Sequence, residues 1–205
     1  MTASPFPTAR LTGLVIAFWL ATATATSVRE VSLDEMLARA ELVFEGEVTH
    51  LEVKETPHHH RPFTQITFRV LDVIKGREEL STVTLDFLGG QIGEKRLQVG
   101  DMDYPELGEH GIYFVESLQR RQIHPLYGWS QGRFLTTVDE AGQLHVRTAD
   151  GDPVVQLEFD SASEPTGLSR GVAKGVFTRG DALSKEAISL DDFKRRLRQH
   201  LDIIR

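Results

Sequence analysis

Apolar side chains recur at every second position in short runs along this chain, and that spacing restricts its fold more than any other feature. Ile66, Phe68 and Val70 alternate with Thr67 and Arg69, and Val83, Leu85 and Phe87 repeat the pattern as far as Gly89-Gly90. Successive side chains of a strand point to opposite faces, so each run predicts a strand with one face on a core and one in water. Leu42 to Val53 predicts another strand, with Gly46 marking a bulge. Ile112 to Val115, within Gly111 to Leu118, is apolar throughout and predicts a strand buried on both faces. Gly132 to Val138 and Gln143 to Val146, joined by Asp139-Glu140-Ala141-Gly142, form a hairpin pattern, and Val154 to Phe159 adds one more strand.

Two stretches break this period. Ser32-Leu33-Asp34-Glu35 has the form of a capping box, which places a short helix from Leu33 to about Ala40. Near the end, Ser189 can cap a helix whose Leu190, Phe193, Leu197, Leu201 and Ile204 fall at spacings of three and four. Lys194, Arg195, Arg196 and Arg198 then take its wet side. Short antiparallel strands between one short and one longer helix predict a mainly β fold, a small barrel, closed or partly closed; a β-sandwich is the alternative.

Before these elements, Arg10 precedes an apolar run, Leu11 to Ala21, followed by Ala-Thr repeats. The run is about half the ~20 residues that span a bilayer, and its flanks suit a secretory signal peptide cleaved after Ala25. The expected organisation is a signal peptide at 1–25, a β-barrel domain with its N-terminal helix at 26–159, a surface segment or linker at 160–188, and a docking amphipathic helix at 189–205. The product is expected to be exported, periplasmic or extracellular, without stable membrane insertion. Cysteine is absent, which excludes disulfides, thiolate metal sites and cysteine nucleophiles. A net charge of −7 disfavours dedicated nucleic-acid binding.

The run SLDEMLARAELVFEGEV, continued by TFRVLDVIKG and later by GEHGIYFVESL and GWSQGRF, resembles uncharacterised bacterial secreted proteins. In general strand order it is similar to netrin-like modules such as the tissue inhibitors of metalloproteinases. That resemblance implies an OB-type five-stranded barrel. The animal inhibitors chelate the protease zinc through an N-terminal cysteine, which this chain lacks, so the resemblance supplies no inhibitory residue.

Three constellations could bear chemistry. Gly128-Trp129-Ser130-Gln131-Gly132 matches G-x-S-x-G, in which a sharp strand-to-helix turn presents a serine to a histidine base. Arg-Phe-Leu-Thr-Thr-Val follows instead of a helix, so a glycine-permitted turn with Trp129 packed over the barrel end is the competing reading of Ser130. His58-His59-His60 offers imidazoles to zinc or copper, and an extended backbone would put His58 and His60 on one side. A solvated loop binding metal only weakly is the alternative, and no cofactor is otherwise called for. Gly89 and Gly90 open a glycine-rich stretch near Lys95 and Arg96 that lacks the helix a phosphate loop needs. The function expected is non-catalytic: binding of an extracytoplasmic protein or small ligand at a loop-bearing end where His58 to His60, Gly89, Gly90, Tyr127 and Trp129 gather. A serine hydrolase using Ser130 and a weak metal binder using His58 and His60 are the rivals.

Overall fold

A computed structural model describes residues 28–57, 59–159, 167–169, 171–179 and 186–204. The expected signal peptide and His58 lie outside the described residues. The described chain is mainly β. Helix α1 (Leu33–Arg39) is followed by a long hairpin of β1 (Leu42–Glu55) and β2 (Pro62–Lys75), then β3 (Thr82–Leu88). A small hairpin of β4 (Gly90–Ile92) and β5 (Lys95–Leu97) leads to β6 (His110–Val115), β7 (Arg133–Val138) and β8 (Leu144–Thr148). Strands β9 (Val154–Leu157) and β10 (Val176–Thr178) form a separate pair, and α2 (Leu190–Ile204) ends the fold.

Six strands make one antiparallel sheet in the order β3-β2-β1-β6-β7-β8. Residues of alternate parity feed two cores. Val43, Ile112, Phe114, Phe134 and Val146 face α1 and α2, whereas Leu42, Phe44, Tyr113 and Val115 face the opposite side, with Ile66, Phe68, Val83, Leu85 and Phe87 from β2 and β3. Phe44, Phe68 and Tyr113 form an aromatic cluster with ring centroids 4.7 to 5.6 Å apart. The pairing register between β1 and β2 slips at Glu45/Gly46, where a Cβ on Gly46 would lie 2.9 Å from the Arg69 carbonyl oxygen. The bulge therefore requires glycine.

Pairing does not join β8 back to β3, so among the described residues the sheet is open rather than a hydrogen-bonded barrel. The physical reason is that the outer edge of β8 is already occupied. Val146 N–H donates to the Ile188 carbonyl at 3.0 Å, Thr148 N–H to that of Asp152 at 2.9 Å, and Arg147 bridges to Pro153. Residues 123–127 instead bridge β3 to β6: Tyr127 N–H donates to Phe114, and Leu88 N–H of β3 donates to Ile123.

The expectation of a surface linker at 160–188 is corrected for its described residues. Ala173, Val176 and Ile188 are buried in the helix-side core, and β10 pairs with β9. The burial of these small and branched side chains in that core outweighs the polar composition around them.

Helix α1 starts as its sequence predicts, with Glu35 N–H donating to Ser32 Oγ at 3.0 Å. The reciprocal half of the box is not made, because Glu35 instead takes the Tyr127 hydroxyl at 3.0 Å and the Arg29 and Arg39 guanidiniums. Helix α2 buries Leu190, Phe193, Leu197 and Leu201, with Phe193 5.0 Å from Phe134. Its basic side is not simply wet. Lys194 reaches Glu45 at 2.6 Å and Asp72 at 3.0 Å, Arg198 reaches Asp72 at 2.6 Å, and Arg195 and Arg196 pair with Asp192. Four cations are thus matched by carboxylates, two of which lie on the sheet.

Candidate functional site

The β1–β2 hairpin turn, the end of β3 and the loop before residue 124 meet around a cleft of about 300 Å³. The turn is closed by Thr56 N–H donating to the Arg61 carbonyl at 3.0 Å and Arg61 N–H donating to Thr56 Oγ1 at 3.1 Å. Pro62 then starts β2, its carbonyl accepting from Gly89 N–H at 2.9 Å, while the Gly89 carbonyl accepts from Thr64 Oγ1 at 2.9 Å in place of the N–H that proline lacks. Phe63, Leu88 and Ile123 give the cleft its apolar lining, and Arg61, Arg121 and Asp86 give it charge. The Arg121 guanidinium lies 5.7 Å from the Phe63 ring centroid, in the range of a cation–π contact. Asp86 accepts from Gln65 Nε2 at 2.9 Å. Among the described residues, neither Arg61 nor Arg121 has a carboxylate partner within ion-pair distance. Two cations beside an apolar floor are chemically suited to an apolar anion.

The residues singled out from sequence divide between this region and others. His59 lines the cleft. His60 sits at φ 47°, with Nδ1 3.3 Å from Glu55, so its backbone is in a turn rather than extended; His58 lies outside the described residues. Among the described residues no group of three or more His, Asp or Glu side chains could hold a metal ion. Glu55, bound by Lys95 at 2.8 Å and by His60, is held below the usual carboxylate range, Lys95 being the larger cause.

Gly89 and Gly90, at φ 107° and 129°, turn the chain from β3 into the β4–β5 hairpin. A Cβ on Gly89 would lie 2.5 Å from the Tyr104 hydroxyl, and one on Gly90 2.9 Å from Thr64 Oγ1. These glycines allow close backbone packing. They open a hairpin, so no helix N-terminus completes an anion cradle there.

Tyr127 faces away from the cleft and binds Glu35 of α1. Trp129 stacks on His124 at 5.3 Å and 11°, and His124 meets Phe87 edge-on at 5.0 Å. Burial pushes the His124 pKa down to about 4, so this imidazole is neutral and structural at physiological pH. Ser130 lies in a 3₁₀ turn, Trp129–Gly132, that leads directly into β7. Among the described residues no hydrogen bond joins its hydroxyl to a histidine. The side chain that ties the turn into the fold is instead Gln131, whose buried amide receives Val31 N–H at 3.0 Å and donates to the Arg29 and Gly128 carbonyls, both at 3.0 Å.

A second constellation was not visible in sequence. Thr136 Oγ1 lies 3.0 Å from His110 Nδ1, and His110 Nε2 lies 2.9 Å from Glu45, an order of groups that superficially matches nucleophile, base and acid. Glu45 is buried, which would raise its pKa, yet hydrogen bonds from His110 and Lys194 outweigh burial and lower it. Lys194, whose pKa is raised by Glu45 and Asp72 against the effect of its burial, therefore locks the carboxylate in place. Thr136 is also 3.0 Å from the His110 carbonyl. The set lies in the seam between sheet and helix and clamps α2. Arg133 similarly joins Glu109, through Nε at 2.8 Å, to Asp103, and Tyr113 donates to Glu109 at 2.9 Å. Arg61 and Arg121 escape sequence reading because only tertiary structure shows which cations lack a partner. No protein-family model, curated protein or solved structure matches the chain.

Proposed function

We propose that this protein is an exported, non-catalytic binding module, netrin-like in general strand order, that takes an apolar ligand bearing a negative charge in the cleft between the hairpin turn and the end of β3. The observation that supports it is the pairing of Arg61 and Arg121, without carboxylate partners among the described residues, with the apolar surfaces of Phe63, Leu88 and Ile123. A cation left unpaired beside apolar surface gains more from an incoming anion than one already neutralised, because the anion meets it in a medium less polar than water. Export, to the periplasm or beyond it, is supported by the Arg10 and Leu11–Ala21 pattern. Binding ranks above hydrolysis because, among the described residues, Ser130 is hydrogen-bonded to no histidine and the Thr136, His110 and Glu45 set is tied down by Lys194.

The test uses an anionic naphthalene sulfonate dye and dodecanoate as probes on the purified protein. Saturable one-to-one binding, weakened about tenfold in an Arg61→Ala/Arg121→Ala double variant of unchanged Tm, is the expected result. Binding of equal strength in the variant would overturn the assignment of the cleft.

A further inference from the structure

The free edge of β3 is a second feature, which adjoins the cleft and shares Asp86, Arg121 and Gln122 with it. Its geometry follows from one residue. Leu88 N–H donates to Ile123, and the Leu88 carbonyl accepts from the Tyr104 hydroxyl at 2.9 Å, so the backbone of Leu88 points away from β2. In an antiparallel pair the backbone polar groups of alternate residues share a direction. Asp86 and Thr84, two and four residues earlier, therefore present their N–H and C=O outward, while Val83, Leu85 and Phe87 bond to β2. The Ser81 carbonyl, which accepts from Val70 of β2, has the parity this requires. Among the described residues, no backbone group pairs with the outward N–H or C=O of Thr84 or Asp86.

Three further observations surround that edge. A groove of about 300 Å³ runs between Thr84–Asp86 and the loop Ser117–Gln122. Gln122, which lines it, has a buried Oε1 with no hydrogen-bond partner. Arg121 also lines it and has no carboxylate partner, whereas Arg120 is paired with Glu116 at 3.3 Å. The edge is lightly guarded: Thr82 to Leu88 contains no lysine and no proline, its one charged side chain is Asp86, which is held by Gln65, and β3 has no register slip against β2.

We infer that the open edge of β3 binds an extended peptide as an added strand, its backbone pairing with Thr84 and Asp86 and an acidic residue of the peptide meeting Arg121. The Ile123 contact to Leu88 stops the added strand at that end, which is where Arg121 stands and where the negative group belongs. Gln122 Oε1 gains a donor from the peptide. Main-chain pairing supplies the affinity, and the Arg121 guanidinium supplies the preference.

The test is selection of phage-displayed random peptides of about ten residues on the purified protein, followed by calorimetry with the recovered peptides made synthetically. Recovered sequences are expected to combine an extended, β-branched pattern with an acidic residue. Thr84→Pro removes an outward N–H without breaking a backbone bond to β2, giving up only the exposed Thr67–Thr84 hydroxyl contact at 3.2 Å, so it should weaken peptide binding about tenfold or more while changing Tm little and leaving dye binding in the cleft unchanged. If that variant does not fold, Thr84→Lys serves the same purpose by placing an edge charge. Peptides that bind both variants as well as wild type would overturn the inference. So would a wild-type dimer that Thr84→Pro converts to monomer, since the edge would then belong to a second copy. Loss of dye binding in the Arg61→Ala/Arg121→Ala variant with no peptide recovered would sustain the cleft and remove the edge; the reverse pattern would do the opposite.

Discussion

At one edge of the sheet, Val146 N–H of β8 meets the Ile188 carbonyl at 3.0 Å, Ile188 N–H goes on to Val154 of β9 at 2.8 Å, and Ser189 bridges to His145. At the other, Thr84 and Asp86 of β3 turn the same kinds of group toward a groove with no backbone partner among the described residues. Both strands are short and antiparallel to their neighbours, so the difference does not lie in the strands themselves. It lies in what the chain does next. After β8 it returns as β9 and then, before α2, as residues 186–189, which cover the edge; after β3 it leaves through Gly89 and Gly90 into a hairpin that stands aside. A covered edge contributes to the fold, and an uncovered one is available to a partner.

The largest expected effect comes from uncovering β8. Ending the chain after Ala187 removes Ile188, Ser189 and α2 together, and with them Phe193, Leu197 and Leu201, which are all but fully buried. Loss of a buried Phe costs ~3 to 5 kcal/mol and of a buried Leu ~2 to 5, against a domain stability of ~5 to 15 kcal/mol. The truncated protein should fail to fold or should aggregate, as judged by circular dichroism and gel filtration. A truncated chain that melts like the full one would show that the cover is dispensable.

A matched pair of proline substitutions compares the edges directly. Val146→Pro deletes the donor to Ile188 and disturbs a fully buried side chain, so a loss of ~3 kcal/mol or more is expected in denaturant unfolding. Thr84→Pro deletes a donor that bonds no backbone group and should cost less than ~1 kcal/mol. Equal losses would mean that β3 is covered as well.

A smaller effect is a pH dependence confined to the covered edge. His145 has Nε2 2.9 Å from Asp139 and Nδ1 2.9 Å from the Ala187 carbonyl, and its pKa is raised, chiefly by Asp139, with Ala187 and Glu186 adding to the shift. A group whose folded pKa is raised stabilises fully below its unfolded value of about 6.5 and loses that contribution as pH rises through the folded value. Wild type should therefore exceed His145→Gln in Tm near pH 6 by more than it does near pH 8, with β3 unaffected. A difference that grows with pH would reverse the assignment of the proton.

Much of this fold was legible because strand and helix periods are local. The runs Ile66-Phe68-Val70 and Val83-Leu85-Phe87 and the α2 stripe identify their elements without tertiary information, and Ser32 and Gly46 mark a helix start and a bulge through backbone chemistry alone. Strand β10 was not legible, since three residues cannot show a period and Val176 is buried by neighbours distant in sequence. The candidate site was less legible still. His60 and Ser130 stand out as chemical types, yet a turn at positive φ and a 3₁₀ helix decide what they can do. Arg61, Arg121 and the outward groups of Thr84 matter for the ion-pair and backbone partners they lack among the described residues, a property that emerges only when the whole chain is folded.

Amide hydrogen exchange of the free protein, resolved residue by residue by NMR, tests most directly whether the two edges differ. The N–H groups of Val146 and Thr148 should exchange slowly, at rates governed by opening of the fold, and so should those of Leu85 and Phe87; Thr84 and Asp86 should exchange orders of magnitude faster and become protected when a recovered peptide is added. Slow exchange at Thr84 and Asp86 in the free protein, equal to that at Val146, would contradict the open edge on which the account rests.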